Sequence, residues 1–147
     1  MAEKDSMSRK WQITINNPKE KGMSHEYIAA KVGEMKNVMY WCMADEIGEN
    51  GTYHTHIYMH GRNGIRFSTI KKRFDGGHFE MAKGTSQQNR DYVKKEGRWL
   101  NDKKHETCVP ETFEEFGECP IERQGARNDL NDLYAMIKDG MSNYDIL

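Results

Sequence analysis

The sequence lacks the features that membrane, secreted and motor proteins require. None of its apolar runs approaches the roughly 20 residues of a membrane-spanning helix. The first ten residues are charged and have no apolar core, which argues against a secretory signal. Internal repeats, low-complexity tracts and a G-x-x-x-x-G-K-[ST] loop are absent from the 147 residues. We therefore expect an intracellular protein with one domain, at most a short appendage and no P-loop motor.

Cysteine is also scarce, with only Cys42, Cys108 and Cys119. An odd number without short pair spacing is a poor disulfide framework and a poor zinc site. We expect three free thiols.

Charge is distributed unevenly along the chain, although the formal net charge is only -1. Residues 61–104 contain 12 lysines and arginines against 5 acidic residues, whereas residues 105–147 contain 3 against 10. A basic segment attracts phosphate backbones by Coulomb attraction and counterion release. The bias is compatible with nucleic-acid binding and, equally, with a solvated surface that binds nothing.

Hydrophobic periodicity and turn residues predict four strands and four helices. The strands are 11–16, 37–46, 52–60 and 78–82, and the helices are 24–35, 68–74, 86–95 (with Gly97 as C-cap) and 127–139. Residues 98–120 receive no assignment. The first six elements match the split βαβ arrangement of ferredoxin-like folds, so we expect an α+β class. Helices on one face of an antiparallel sheet would leave the other face free for a ligand.

His54-Thr-His56 is the sharpest candidate for a metal site. Residues two apart on a strand point to the same face, so both imidazoles project together. Glu46 ends the preceding strand, and the Gly48–Gly51 turn folds that strand back beside His54. Two imidazoles and one carboxylate suit Mg²⁺ or Mn²⁺, and zinc is also compatible. The competing interpretation is a surface histidine pair without a metal.

Tyr92 and Lys95 lie three residues apart on a predicted helix, which places them on one helical face. A phenol titrates at about pH 10 and is a weak nucleophile at neutral pH. A nearby metal or ammonium favours the phenolate and so activates it. Taken alone, such a pair is more often a packed ring beside a solvated ammonium.

Three motifs in order resemble the HUH-superfamily endonuclease domain of replication initiators (Rep) from small circular single-stranded DNA viruses and related plasmids. The segment Ile13–Pro18 is similar to the first motif, His54-Thr-His56 to the metal-binding second motif, and Tyr92-Val-Lys-Lys95 to the Tyr-x-x-Lys nucleophile motif. The resemblance covers residues 9–99. The surroundings of Tyr92 look like circoviruses and the Glu46-to-His54 interval like geminiviruses, so the chain combines features of two branches.

The resemblance implies a central antiparallel sheet of about five strands, with the nucleophile helix beside the metal site. It implies a divalent metal, Mg²⁺ or Mn²⁺, held by Glu46, His54 and His56 and acting on the scissile phosphate. Tyr92 would attack to give a 5′-phosphotyrosine and a free 3′-hydroxyl, and a later 3′-hydroxyl would reverse the step and join strands. Lys95 would support the charge or the proton transfer.

The implied partner is single-stranded DNA at an origin stem-loop, since a nick inside a base-paired stem is sterically hindered. Candidates for DNA contact are Asn16, Asn17, Arg66, Phe67, Lys71, Lys72 and Lys83. For each of them a turn residue or a solvated surface group is equally compatible. A viral source would imply the host nucleus and a bacterial plasmid the cytoplasm. A homo-oligomer of the full-length protein stays open.

Family members usually carry a helicase after this domain. We therefore predict an endonuclease domain at residues 1–104 and an acidic C-terminal extension with a helix at 105–147, which begins the connection to a helicase absent from this chain. Two alternatives stay open. One is a non-catalytic single-stranded nucleic-acid-binding module of ferredoxin-like fold, although no RNP-type aromatic strand is evident. The other is a metal-dependent hydrolase in which His54 and His56 activate water.

Overall fold

Three helices and five strands are found in the described part of the chain, which the computed structural model gives as residues 5–48, 50–96, 108–109 and 111–122. In chain order they are β1 (Met7–Asn16), α1 (His25–Gly33), β2 (Val38–Ile47), β3 (Tyr53–Arg66), α2 (Phe67–Arg73), β4 (His78–Met81), α3 (Ser86–Lys94) and β5 (Glu114–Phe116). The strands form one antiparallel sheet in the order β4-β1-β3-β2-β5. The predicted α+β class, ferredoxin-like with a five-stranded sheet, is confirmed.

The main hydrophobic core lies between one face of the sheet and the helices α1 and α2. Alternate residues of the three central strands supply the sheet side, because successive side chains of a strand point to opposite faces. The helix side consists of Ile28 and Val32 from α1, Ile70 from α2, and Phe74 directly after it. These four residues are at most 2% exposed, so the core is closed on this side.

The second face of the sheet is partly covered by α3, which corrects the expectation that it would be free. Val93 of α3 packs against Tyr40, Cys42 and Tyr58 in a second, smaller core. The physical reason is that β2 is apolar on both faces rather than alternating, so each of its faces requires a cover. The polar remainder of this face lies around β1, β4 and the hairpin end of β3.

β3 is longer than predicted and runs to Arg66, whereas the sequence indicated an end at His60. Gly61 and Gly64 interrupt the apolar alternation, which concealed the continuation. Close packing requires the first of them, since a Cβ on Gly61 would lie 2.6 Å from the Asn63 carbonyl oxygen, whereas one on Gly64 would meet only the exposed side chain of Met7. The β1–β3 register shifts at this point, as expected of a bulge.

Side-chain caps begin α1 and α3, and the C-terminal end of α3 corrects a prediction. Ser24 caps α1, its hydroxyl accepting from the Tyr27 amide at 3.1 Å. Thr85 begins α3 with a capping box to Gln88. α3 then ends on Lys95, which adopts the left-handed conformation at φ 62°, and not on the predicted Gly97. Gly97 itself lies outside the described residues.

β5 lies within the segment 98–120, to which the sequence assigned no element. It adds three residues along the outer edge of β2. The helix predicted at residues 127–139 lies outside the described residues, and the domain boundary at residue 104 stays a prediction. None of the described helices has the length and apolar character needed to cross a membrane.

Candidate active site

The β2–β3 hairpin brings together the three residues that the sequence predicted as metal ligands. Glu46 pairs directly with His54 in the ladder, and His56 lies opposite Ala44. The Glu46 carboxylate lies between the two imidazoles: Oε1 is 3.4 Å from His54 Nε2, and Oε2 is 3.4 Å from His56 Nδ1. All three side chains are largely buried, so their mutual contacts replace solvation by water.

Lys95 lies in the same cluster, and its side chain is fully buried. The ammonium donates to Glu46 Oε2 and, at 2.6 Å, to the Tyr92 carbonyl oxygen. Its Nζ also lies 3.9 Å from the centroid of the Tyr92 ring, within the range of a cation–π contact. The sequence placed Tyr92 and Lys95 on one helical face but did not predict the ion pair with Glu46.

The cluster is arranged to keep the carboxylate ionised and one imidazole neutral. Burial opposes ionisation of Glu46, but the hydrogen bonds from His54, His56 and Lys95 outweigh it and lower the pKa of the carboxyl group. Burial lowers the pKa of His56, against the attraction of Glu46, and the Lys95 charge acts in the same direction as burial. A neutral imidazole retains the lone pair that a metal ligand needs.

Tyr92 lies on the same side of the sheet as the two histidines. Its ring meets His56 edge to face, with centroids 5.1 Å apart and planes at 88°. A cavity of about 360 Å³ opens beside this contact, between β1, β4 and α3. Its walls are formed by Gln12, Thr14, His56, His78, Glu80, Asn89 and Tyr92. Tyr92 and His56 therefore border one polar cleft.

The donor set suits a divalent cation, but it is not arranged as a formed metal site. Two ligand atoms each about 2.1 Å from one ion, at angles of about 90–110°, lie about 3.0–3.4 Å apart, which matches the separation between Glu46 and each imidazole. As the described side chains stand, no group of three or more His, Cys, Asp or Glu could hold a metal ion. The imidazole centroids are 6.4 Å apart, and Glu46 is hydrogen-bonded to Lys95. These side chains would have to rotate before Glu46, His54 and His56 could bind one ion together.

The cleft contains polar residues that the sequence did not single out. Gln12 donates to Asn89 Oδ1 at 2.6 Å, and Asn89 donates to the carbonyl oxygens of Lys83 and Thr85. Gln12 Oε1 is buried and lacks a hydrogen-bond partner within the described part of the protein. The signal available in the sequence was the alternation along β1, which turns Gln12, Thr14 and Asn16 towards the face of the histidines.

The predicted DNA-contact residues fall into three groups. Asn16 pairs with His54 and is exposed, and Lys83 lies exposed between β4 and α3. The other basic residues, Arg66, Lys71 and Lys72, lie at the end of β3 and on α2, which packs on the opposite face. The same region holds Phe67, whose ring packs against Trp11 and Phe79. Only the first group adjoins the cleft.

Asn17 lines a different and larger cavity of about 600 Å³. This cavity lies on the side of the strands occupied by Asp45 and Thr55, which alternate with Glu46 and His54 and so point the other way. The sheet therefore lies between this cavity and Tyr92. The smaller cleft is therefore the better candidate for a reacting group.

Comparison with known proteins agrees with the motifs. A family model described as "Putative viral replication protein" matches residues 8–96. The replication-associated protein of Pigeon circovirus is 26% identical over 145 residues, covering 93% of this chain and 37% of the relative. That of Beak and feather disease virus is 36% identical over 89 residues, covering 60% and 29%. The "Para-Rep C2" of Subterranean clover stunt C2 alphasatellite is 31% identical over 91 residues, covering 61% and 31%.

The chain thus spans only about a third of the length of these relatives. The match to the family model nevertheless extends over more than half of the 147 residues. It includes the hairpin with both histidines and the helix with Tyr92 and Lys95. The chain therefore belongs to the viral replication protein family, as a Rep domain of the kind found in circular single-stranded DNA viruses.

Proposed function

We propose that this chain is the nicking-and-joining domain of a rolling-circle replication initiator, a metal-dependent endonuclease that cuts single-stranded DNA with Tyr92. The observation that carries the proposal is the edge-to-face contact of Tyr92 with His56 beside a polar cleft. The Tyr92 ring and His56 line this cleft, and Glu46 joins His56 to His54 and to the buried Lys95 ammonium, so three separate elements supply the cluster. Such convergence is typical of a catalytic site.

The chemistry follows from the groups that border the cleft. The Tyr92 oxygen attacks the scissile phosphorus, and the bond from phosphorus to the 3′ oxygen breaks. The phenol loses one proton and the departing 3′ oxygen gains one, so the products are a 5′-phosphotyrosine and a free 3′-hydroxyl. A second 3′-hydroxyl can attack the phosphotyrosine, which joins strands and regenerates the phenol.

Lys95 would serve this reaction in two ways. Its ammonium lies against the Tyr92 ring and can offset negative charge that develops on the phosphate oxygens. It would also donate the proton that the departing 3′ oxygen takes up. A divalent ion bound by Glu46, His54 and His56 would supply Lewis-acid polarisation of the scissile phosphate.

The substrate is proposed to be single-stranded DNA, such as the loop of an origin hairpin. The exposed Asn16 shares a face of β1 with Thr14, which lines the cleft, and the exposed Lys83 accepts a hydrogen bond at its carbonyl from Asn89, which also lines it. A single strand can bring one phosphate to the half-buried Tyr92, whereas a duplex is too wide to do so.

One gel experiment tests the proposal. The protein is mixed with a panel of 3′-end-labelled origin-loop oligonucleotides and Mn²⁺, denatured in detergent, and analysed for DNA that migrates with the protein. We expect a covalent adduct with the wild type and none with Tyr92→Phe, which keeps the ring but has no nucleophile. Cleavage without an adduct that persists in Tyr92→Phe would establish the water-activating hydrolase instead. Binding without cleavage would establish the non-catalytic module.

A further inference from the structure

A segment C-terminal to α3 packs against the side of that helix that lies away from Tyr92. We call residues 108–109 and 111–122 the C-terminal strap. Its strand β5 pairs with β2, with Cys42 opposite Glu115. Phe113 and Cys119 close the second core over Tyr40 and Val93. The strap therefore adds the edge strand of the same sheet.

The strap contacts α3 at three positions spaced four residues apart. At the start of the helix, the Ser86 amide donates to Glu122 Oε2 at 2.7 Å. In its middle, Arg90 Nε donates to Glu115 Oε1 at 2.7 Å. At its end, Lys94 Nζ lies 5.2 Å from the Phe113 ring centroid. Residues at spacings of four share one helical face, so the strap follows a single side of α3.

Tyr92 projects from the other side of the helix. It lies two residues from both Arg90 and Lys94, about 200° around the axis at 3.6 residues per turn. The strap thus contacts one side of α3, and the opposite side carries Tyr92, whose ring contacts His56.

The Arg90–Glu115 contact is a charge-assisted hydrogen bond at the surface, where the Glu115 side chain is 36% exposed. The Glu115 carboxylate accepts from both Arg90 and the Tyr40 hydroxyl, the latter at 2.8 Å. The hydrogen bond from Arg90 lowers the pKa of Glu115 against the effect of burial, and the Tyr40 hydroxyl adds to it. The same hydrogen bond raises the pKa of Arg90. Charge-assisted hydrogen bonds of this kind are about twice as strong as neutral ones.

The strap also fixes the strand that carries the carboxylate ligand. The Val109 amide donates to the Asp45 carbonyl oxygen at 2.9 Å, and the Asp45 amide donates to Thr112 Oγ1 at 2.9 Å. Cys108 forms an isolated bridge with Glu46 itself. One segment therefore holds both the helix of the nucleophile and the backbone beside Glu46.

We propose that Glu115 is a positioning residue for nicking, which acts through Arg90 to fix the distance and angle of Tyr92 relative to the histidine pair. This inference rests on the proposed function of Tyr92. In-line attack depends steeply on geometry, and a misplacement of about 1 Å can cost about a hundredfold in rate. Arg90 and Tyr92 lie within one turn of α3, so a shift of the backbone at Arg90 also changes the position of Tyr92.

The test compares Glu115→Ala and Glu115→Gln with Glu118→Ala in the full chain. Glu118 is an exposed glutamate of the same strap and provides the matched control. We expect Glu115→Ala to lower the rate of adduct formation at saturating oligonucleotide about tenfold while KM changes less than twofold. Glu115→Gln, which keeps the acceptor oxygen, should recover part of that rate. A rate for Glu115→Ala equal to that of Glu118→Ala, or a loss confined to KM, would overturn the proposal.

A second measurement reports the environment of the Tyr92 ring independently of nicking activity. With 3-fluorotyrosine incorporated, the ¹⁹F resonance of Tyr92 is identified by its loss in Tyr92→Phe. We expect this resonance to shift or broaden in Glu115→Ala and to stay unchanged in Glu118→Ala. If the wild type forms no adduct, the proposed function fails, whereas the resonance still decides whether Glu115 sets the position of Tyr92. An unchanged resonance would refute the positioning role.

Discussion

The Lys95 side chain is fully buried, and its ammonium pairs with the Glu46 carboxylate. Helical spacing placed it on the face of Tyr92, and that geometry is local. Its pairing with Glu46 joins residues 49 positions apart, and its burial depends on how α3 docks on the sheet. A lysine is rarely buried without a partner, so neither fact could be read from the motif. The left-handed backbone at Lys95 was equally hidden, because glycine usually occupies that conformation.

Replacing Lys95 by methionine should destabilise the protein strongly. The buried Glu46 carboxylate would lose its ammonium partner, and breaking a buried ion pair from one side costs about 3–5 kcal/mol. Lys94→Met is the matched control, since Lys94 is part-exposed and its ion pair with Glu96 is worth about 1 kcal/mol or less. Urea denaturation measures both. Equal losses in the two variants would show that the Lys95–Glu46 pair is not a stabilising contact.

The same variants report on the proposed metal ligands. A divalent ion bound by Glu46 would compensate the charge that Lys95→Met leaves unpaired. We therefore expect Mn²⁺ to raise the free energy of unfolding more in Lys95→Met than in the wild type. Denaturation curves with Mn²⁺ and with EDTA make the comparison. A similar gain in both proteins would count against Glu46 as a ligand.

At the scale of elements, strongly periodic segments were predictable and irregular ones were not. The hairpin and its turn, the cap of α1 and the start of α3 all depend on residues near one another in sequence. β5 is three exposed residues long and exists because β2 offers it an edge. β3 was predicted too short because Gly61 and Gly64 resemble a chain break. Both failures concern tertiary contacts that override local preference.

Replacement of the N-cap residue by alanine should affect nicking in one of the two capped helices and not in the other. Ser24→Ala and Thr85→Ala each remove a side-chain acceptor from a helix start, and each should cost about 1 kcal/mol of stability. Only Thr85 begins the helix that carries Tyr92, so only Thr85→Ala should also slow adduct formation. Thermal denaturation and the detergent gel measure the two effects. A comparable slowing by Ser24→Ala would show that nicking follows overall stability and not the order of α3.

Across the whole molecule, the acidic segment neutralises basic groups of the domain that it follows. Glu122 pairs with Lys10, Glu115 with Arg90, and Glu114 with His25. The pKa of His25 rises to about 9, chiefly through its hydrogen bond to Asp45 and with support from Glu114, against the effect of burial. Acidic residues of the C-terminal segment therefore form ion pairs with basic residues of the fold, in addition to placing negative charge on the surface. A count of charges along the sequence does not distinguish charges that are paired from charges that are free on the surface.

Salt dependence can locate the DNA on this surface. When a substitution removes one lysine–phosphate pair from a complex with single-stranded DNA, the slope of log Kd against log salt falls by about 0.7. Lys83 adjoins the cleft through Asn89, whereas Lys72 lies on α2 at the opposite face. In a Tyr92→Phe background, fluorescence anisotropy with a labelled oligonucleotide should show the reduced slope for Lys83→Ala and an unchanged slope for Lys72→Ala. The reverse pattern would place the strand on the α2 face, away from Tyr92, and would contradict the cleft as the site of nicking.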